Sequence, residues 1–471
     1  MVSGFFALAG IGAGLPSEEQ TRLVFSEEGV LSSLSPAMKS LRNDVYESYK
    51  VVPGVEVRKS YAPPSNGIVT EAVIDGKPLK IEAVKIHAMR SALLQSRMPD
   101  EQYALRTLGN IKPALGQFNP HAFFYGGFYI YSAGFALKVA ETFGLLKVTS
   151  DIEFYFRNPE QTRLLFIIPK VLGGLAVAAC VPAIFLLAGR LYGEKAALLS
   201  AFFMAVLPAA AVEAHALKPY TFFLPFMLFS LYFSARIMEE GRGRHYLLAG
   251  IFAGLSAGSL IISGTAVFAA AAGHFLFERK KPPVKERSSN LRLLIAAAGF
   301  FVSFCATNPY FFLAFREMAN ELGSNSEIWG FKISLAQAWH HFVFEFPKEF
   351  GGFLYISAAA GLALALFTVA AGDILLMAVF IPFYIYLTCV FWSTHHYDMP
   401  AVPIMVILAA RFFVWAGEKL KRTSLINAAA AAVALLTFCC TAHYSLIYLM
   451  SDRHFNSAGR WINENLPPGL P

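Results

Sequence analysis

The stretch GRLYGEKAALLSAFFMAVLPAAAVEAHALKPYTF, residues 189–222, decides the architecture. It opens on a basic turn (Arg190, Lys195) and runs through an apolar block over 195–214. It then gathers Glu213, His215 and Lys218 in a short polar turn and re-enters apolar sequence at Pro219. A block of about 18 or more apolar residues is long enough to span a bilayer. With no water to satisfy its peptide groups there, such a block crosses as a helix. Residues 189–222 therefore read as the end of one span, a basic turn, a second span, a polar turn and the start of a third.

The same unit recurs along the chain. Apolar blocks lie near 163–189, 195–214, 219–236, 246–258, 259–277, 292–315, 352–371, 374–394, 399–416 and 424–448. Of 471 residues, 56% are hydrophobic and 15% are charged, where a soluble chain carries about a quarter charged. The net charge of +7 comes from short loops between blocks, as cytoplasmic loops of membrane proteins require. It therefore does not point to nucleic acid. All five cysteines (Cys180, Cys305, Cys389, Cys439, Cys440) fall in apolar blocks, so neither a disulfide framework nor a zinc site is indicated. Met1–Leu15 lacks a basic leader and is read as a first transmembrane helix that stays. It is short for a span, and a few residues are expected to be missing from its start.

Loop charge sets the topology. The basic loops are Arg190/Lys195, Arg236/Arg242/Arg244, the run from Arg279 to Arg292, and Lys419/Lys421/Arg422. All four fall on the cytoplasmic side if 246–277 is two short helices, with Gly254, Gly258 and Gly264 allowing a tight reversal. The turns at His215–Pro219, Arg316–Gly351 and Ser393–Met399 then face outward. The aromatic stretch His121–Leu146 cannot cross once without breaking the parity. It reads as a juxtamembrane helix at the outer interface, where tyrosine is at home and Lys138 and Glu141 avoid the lipid core. The expectation is an all-α polytopic membrane protein of about eleven transmembrane helices, or twelve if 121–146 spans. A first helix over 1–15 leads into an extracytoplasmic loop over 16–162 with juxtamembrane helices. A helix bundle over 163–450 and an extracytoplasmic tail over 451–471 follow. Within the loop, Val51–Glu82 alternates in a way that suits a small hairpin.

Four constellations could carry chemistry. Pro99-Asp100-Glu101-Gln102 sets two carboxylates outside the membrane, ahead of Asn119-Pro120-His121 and Tyr125-Gly126-Gly127. That placement suits a general base beside a lipid-borne substrate, although proline followed by acids is also ordinary helix capping. Lys170 lies seven residues into an apolar block, where an ionisable residue is a functional candidate; the plain alternative is snorkelling to headgroups. Glu213, His215, Lys218 and Tyr220 share an outward turn, which could equally be a solvated one. His395-His396-Tyr397-Asp398 stands before Pro400. Neither this histidine pair nor His340-His341 has helical metal-ligand spacing, so no metal site is assigned. Walker, GxSxG and Rossmann signatures are lacking.

In their order these motifs resemble the type C polytopic glycosyltransferases, specifically the family 39-like group of protein O-mannosyltransferases and lipid A aminoarabinose transferases. Asp100-Glu101 is similar to the family's acidic motif in the first external loop, and Lys170 stands where an arginine is more common. Residues 189–222 are similar to its helix–loop–helix. "AGIFAGLSAGS", "NPYFFLAF" and "HHYDMPAVPIMVILAA" are similar to later helices. "SDRHFNSAGRWINENLPPG" is similar to the lead-in to an extracellular domain. Two positions depart: Tyr220 replaces an acid common after the proline, and Leu260 replaces a common lysine.

The resemblance implies a cell-membrane enzyme of bacterial or archaeal plasma-membrane type. It would transfer a monosaccharide from a polyprenyl-phosphate donor to a hydroxyl of a glycan, lipid or protein acceptor, with inversion. Asp100, or else Glu101, would be the base. Lys170, Lys218 and His215 would bind the donor phosphate, and Glu213, Tyr220, Tyr125, His396 and Tyr397 would bind substrate. No cofactor is required, although two acids facing a phosphate could hold a divalent metal. The competing classes are a transporter or flippase, which usually shows repeats and broken helices not evident here, and a catalytically inactive family member.

Overall fold

The computed structural model describes residues 1–25, 28–49, 69–74, 77–98, 100–280, 291–329, 332–389 and 395–465. Pro99, the first part of the hairpin stretch (51–68) and most of the basic run (281–290) lie outside the described residues. The described residues are mostly helical. Among them is one antiparallel hairpin, Val69–Ile74 with Lys77–Glu82, in which Val69 faces Glu82 and Ile74 faces Lys77. The chain forms two compact units. The first takes Met1–Ile11, Ala104–Phe135 and Pro169–Tyr448; the second takes Gly12–Tyr103, Ala136–Ile168 and Leu449–Pro471.

In the first unit the helix Val402–Leu420 is apolar nearly all round and is buried accordingly from Val402 to Ala410. The helix Phe353–Thr368 lies so close to it that a Cβ at Gly361 would sit 2.1 Å from the Leu408 carbonyl oxygen. A second close pair joins Gly243–Ser259 to Leu291–Thr307. Gly250, Gly254 and Gly258 repeat at intervals of four on one helix face. A Cβ at each would meet the Ala296 carbonyl at 2.0 Å, Ser303 Oγ at 2.1 Å and Thr307 Oγ1 at 2.4 Å. Small residues let two helices approach in this way inside a membrane.

This corrects the sequence reading of Gly254 and Gly258, which are packing residues inside a helix rather than turn residues. The helix ends at Ser259, and an extended Leu260 separates it from the segment Ile261–Glu278. The chain does reverse there, since Tyr246 Oη and His274 Nδ1 are 2.6 Å apart.

Among the described residues, four helices are long and apolar enough to cross a bilayer: Pro159–Tyr192, Ile261–Glu278, Ala371–Thr388 and Thr423–Asn465. Glu194–Ala205 and Pro208–Ala214, bent by 43°, would together make a fifth, and Leu291–Thr307 and Phe353–Thr368 are shorter apolar helices. The chain is a helical polytopic membrane protein. Among the described residues the helices found whole are fewer than the eleven spans expected, because several apolar blocks there are broken or short. Three of the basic turns lie against one another in the first unit. Arg190 approaches Glu239 (3.4 Å), Lys280 Nζ donates to the Met238 carbonyl (3.2 Å), and Arg292 donates to the Gly241 carbonyl (2.7 Å).

The helix expected over 1–15 covers only Val2–Leu8, followed by turns. The stretch expected at the interface forms the helix Gly127–Thr142. In the second unit Leu31, Leu34 and Met38 of Glu28–Tyr49 pack with Ile86 and Leu93 of Ala83–Leu94 and with Phe156. Arg97 pairs with Asp452 (3.3 Å) and lies over the Phe455 ring.

Candidate functional site

The polar turn of residues 213–220 follows the helix Pro208–Ala214, whose first residue is a proline with no N–H to leave unpaired. His215 ends that helix. Its Nδ1 lies 2.6 Å from the Ala211 carbonyl oxygen and its Nε2 lies 2.7 Å from the Ala9 carbonyl oxygen, while its ring stacks on Tyr448 at 4.2 Å. Carbonyl oxygens only accept, so each ring nitrogen must carry a proton for both bonds to form. His215 thus ties the turn to the main chain, and a phosphate would have to displace one of these bonds to reach it.

Lys170 and Lys218 are both buried, as is Glu213. Gly173, one turn beyond Lys170, places its helix against this turn: a Cβ there would lie 2.8 Å from Thr221 Oγ1 and 3.7 Å from the Ala214 carbonyl oxygen. Tyr220 is buried with its ring 4.4 Å from His396 and 5.7 Å from Tyr397, and it hydrogen-bonds Tyr397. Tyr125 and Glu213 are within electrostatic reach of its hydroxyl. Tyr125 is held by the two glycines after it. Gly126 N–H donates to the Ser259 carbonyl (3.0 Å), and Gly127 N–H donates to Asn308 Oδ1 (2.6 Å). A Cβ on Gly126 would sit 2.0 Å from the Gly258 carbonyl oxygen, so the pair of glycines permits a close backbone contact. The structure therefore gathers Tyr125, Glu213, Tyr220, His396 and Tyr397, five residues drawn from three distant stretches of sequence.

It adds two acids that the sequence reading did not select, Glu345 and Glu349, and draws in Asp398 of the fourth constellation. Glu345 and Glu349 are buried, and Asp398 is fully so. His341 and Asp398 pair through Nδ1 and Oδ1 at 2.9 Å, while His340 Nε2 and Lys348 Nζ approach Glu345 Oε1 at 3.1 and 2.9 Å. Burial pushes the Glu349 carboxyl well above the usual range, and the nearby Asp398, Glu213 and Glu345 carboxylates push it further. It therefore holds its proton more tightly than a free carboxyl does. The segment His341–Glu345 is a π-helical turn, a costly form found mostly at functional sites. A signal was present in the sequence: in HFVFEFPKEF (341–350) charged residues are set between phenylalanines, and such acids are buried once the aromatics pack.

In the second unit the two acids of the external-loop motif part company. Asp100 is exposed in a turn, its carbonyl accepting the Tyr103 N–H at 3.1 Å, whereas Glu101 is buried at the start of the helix Glu101–Asn110. Among the described residues no group of three or more His, Cys, Asp or Glu is arranged to hold a metal ion.

Residues 166–305 match the dolichyl-phosphate-mannose-protein mannosyltransferase family model. That segment contains Lys170, Glu213, His215, Lys218, Tyr220 and Leu260, and over it the resemblance to the type C glycosyltransferases is borne out. No curated protein matches the chain. Among solved structures it is similar to an oligosaccharyltransferase from Archaeoglobus fulgidus in complex with zinc and sulfate, at 16% identity over 79% of this chain and 52% of that one, with a TM-score of 0.45. It is also similar to ArnT from Cupriavidus metallidurans bound to undecaprenyl phosphate, at 13% identity over 79% and 77%, with a TM-score of 0.49. The chain thus spans about half the length of the archaeal enzyme.

Proposed function

We propose that the chain is a membrane glycosyltransferase that takes a monosaccharide from a polyprenyl-phosphate donor on the extracytoplasmic side. The observation that carries this reading is the family match over 166–305. Its printed name specifies a dolichyl-phosphate sugar, and its span includes Lys170 and the turn 213–220. Lys170 and Lys218 would stabilise the phosphate as negative charge develops on it. The acceptor oxygen bonds to the anomeric carbon as the bond from that carbon to the phosphate oxygen breaks. Polyprenyl phosphate leaves, the anomeric configuration inverts, and the hydroxyl proton passes to a carboxylate. Asp100 is the first choice for that base, being exposed to an incoming acceptor, and Glu101 is the second.

The test is transfer from labelled polyprenyl-phosphate mannose in membranes bearing the chain, with the product's anomeric configuration determined. Asp100→Asn should cut transfer about 10²–10⁴-fold, the usual range for a general base, with expression unchanged. Asparagine caps a helix about as well as aspartate, so a capping role predicts little loss. Full activity in Asp100→Asn, Glu101→Gln and the double variant would remove this motif from the mechanism. Tyr220 and Leu260 favour a second reading, an inactive family member, which predicts donor binding without transfer.

A further inference from the structure

We infer that the His341–Asp398 pair reads the sugar of the lipid-linked donor, with His341 Nε2 accepting a hydrogen bond from one of its hydroxyls. The inference rests on the donor class proposed above. His341 and Asp398 are each 0% exposed, with Nδ1 and Oδ1 2.9 Å apart. A carboxylate oxygen only accepts, so Nδ1 carries the hydrogen, and in the neutral form of an imidazole so held Nε2 is the acceptor. The two nitrogens lie on opposite sides of the imidazole, so Nε2 points away from Asp398. Among the described residues no protein group bonds to Nε2, although it is buried. Buried polar atoms are nearly always hydrogen-bonded, and an exception calls for a reason. A ligand donor is one such reason.

The surroundings select the kind of donor. Asp398, Glu213 and Glu345 act on Glu349 with the same sign of charge, so a phosphate brought among them would be repelled. Phosphate chemistry belongs with Lys170 and Lys218 instead. A sugar hydroxyl is neutral and both donates and accepts. It can give its hydrogen to His341 Nε2, while Glu349, whose carboxyl burial and the same Asp398 push toward the protonated form, can offer a carboxyl hydrogen to a neighbouring oxygen. The pairing also explains the irregular backbone. The π-helical turn His341–Glu345 turns the side chains differently from an α-helix and brings His341 to Asp398, 57 residues away in sequence.

The test compares the binding of polyprenyl-phosphate mannose and of sugar-free polyprenyl phosphate to the detergent-purified full chain. His341→Phe should lose about tenfold in affinity for the mannosyl lipid, the scale of one net hydrogen bond, and nothing for the sugar-free lipid. His341→Gln, which keeps polarity and size, serves the same comparison if the phenylalanine variant does not fold. An equal loss on both lipids, or no loss on either, overturns the inference while leaving the donor class standing. Wild type binding neither lipid overturns both. Nitrogen-15 spectra of histidine-labelled protein give a readout independent of any ligand. His341 should show a protonated Nδ1 and a bare Nε2, and the reverse pattern would sink the proposal.

Discussion

Two buried carboxylates in the same unit, Asp373 and Glu349, have opposite surroundings. Asp373 opens the helix Ala371–Thr388 and is 1% exposed. Its Oδ1 accepts from Tyr192 Oη at 2.7 Å and from Arg411. Its Oδ2 accepts from Thr368 Oγ1 and from the Ala370 N–H, both at 2.8 Å. Arg411 Nη2 also reaches Thr368 Oγ1 at 2.6 Å. The charge is met by a guanidinium and three further donors, the only arrangement in which a buried ion is tolerable. Glu349 is buried to a similar degree, yet the charges acting on it are mostly those of other acids, opposed by Lys348. One site is finished without a ligand. The other pushes its carboxyl toward the neutral form. The first arrangement serves stability, and the second is the kind in which perturbed groups do chemistry.

The contrast can be broken most severely at Asp373. Asp373→Ala strands Arg411 as an unpaired buried charge, and breaking such a pair costs about 3–5 kcal/mol. Thermal unfolding in detergent should show a large fall in midpoint and in folded yield. Replacing both partners with apolar residues, Asp373→Leu with Arg411→Met, should recover most of it. A single variant that melts with wild type would mean that the network is not structural.

Glu349 should respond in the opposite sense. Its proton leaves the unfolded chain near pH ~4.3 but stays on the folded one. Above that pH the folded state therefore binds more protons, and stability falls as pH rises until the folded carboxyl ionises. Glu349→Gln removes this dependence. The variant should lose stability less steeply than wild type from about pH 5 upward, by a slope of up to about 1.4 kcal/mol per pH unit. Unfolding midpoints across that range are the measurement, and parallel curves would mean that Glu349 ionises normally in the folded protein.

How much of this was legible in the sequence depended on where a residue stands. Glu213, His215, Lys218 and Tyr220 lie in a short turn between apolar blocks, where any polar side chain is conspicuous. His396 and Tyr397 precede a proline-marked helix start in the same way, and the fold brings most of these together. Glu345 and Glu349 stand among phenylalanines in a loop between apolar blocks, a signal for burial, but which groups surround them is set by tertiary packing alone. The Asp373–Arg411 pair joins residues 38 apart, and no local pattern announces it. Glycine misled, because Gly254 and Gly258 satisfy a turn and a helix contact equally well on paper. The spacing of four with Gly250 was the cue for packing. The acids Asp100 and Glu101, adjacent in sequence, could not be ranked by burial from sequence, since a one-residue step along a helix start separates solvent from core.

Tyr220 sits between the two extremes and should give the smallest effect. It is buried like Asp373 but lies beside the acids like Glu349, with Glu213 acting on its hydroxyl and Tyr397 bonded to it. Tyr220→Phe deletes that hydroxyl and keeps the ring that packs against His396 and Tyr397. One net hydrogen bond is worth about 0.5–1.5 kcal/mol, so the unfolding midpoint should drop slightly and transfer should fall by less than about tenfold. The size of that fall decides what the tyrosine does at the position where the resemblance led us to expect an acid. If it only shapes the site, the carboxylates around it remain and most activity survives. A loss comparable to that of Asp100→Asn would mean that the hydroxyl touches the reacting groups, and Tyr220 would then have to be counted with the open site around Glu349 rather than with its walls.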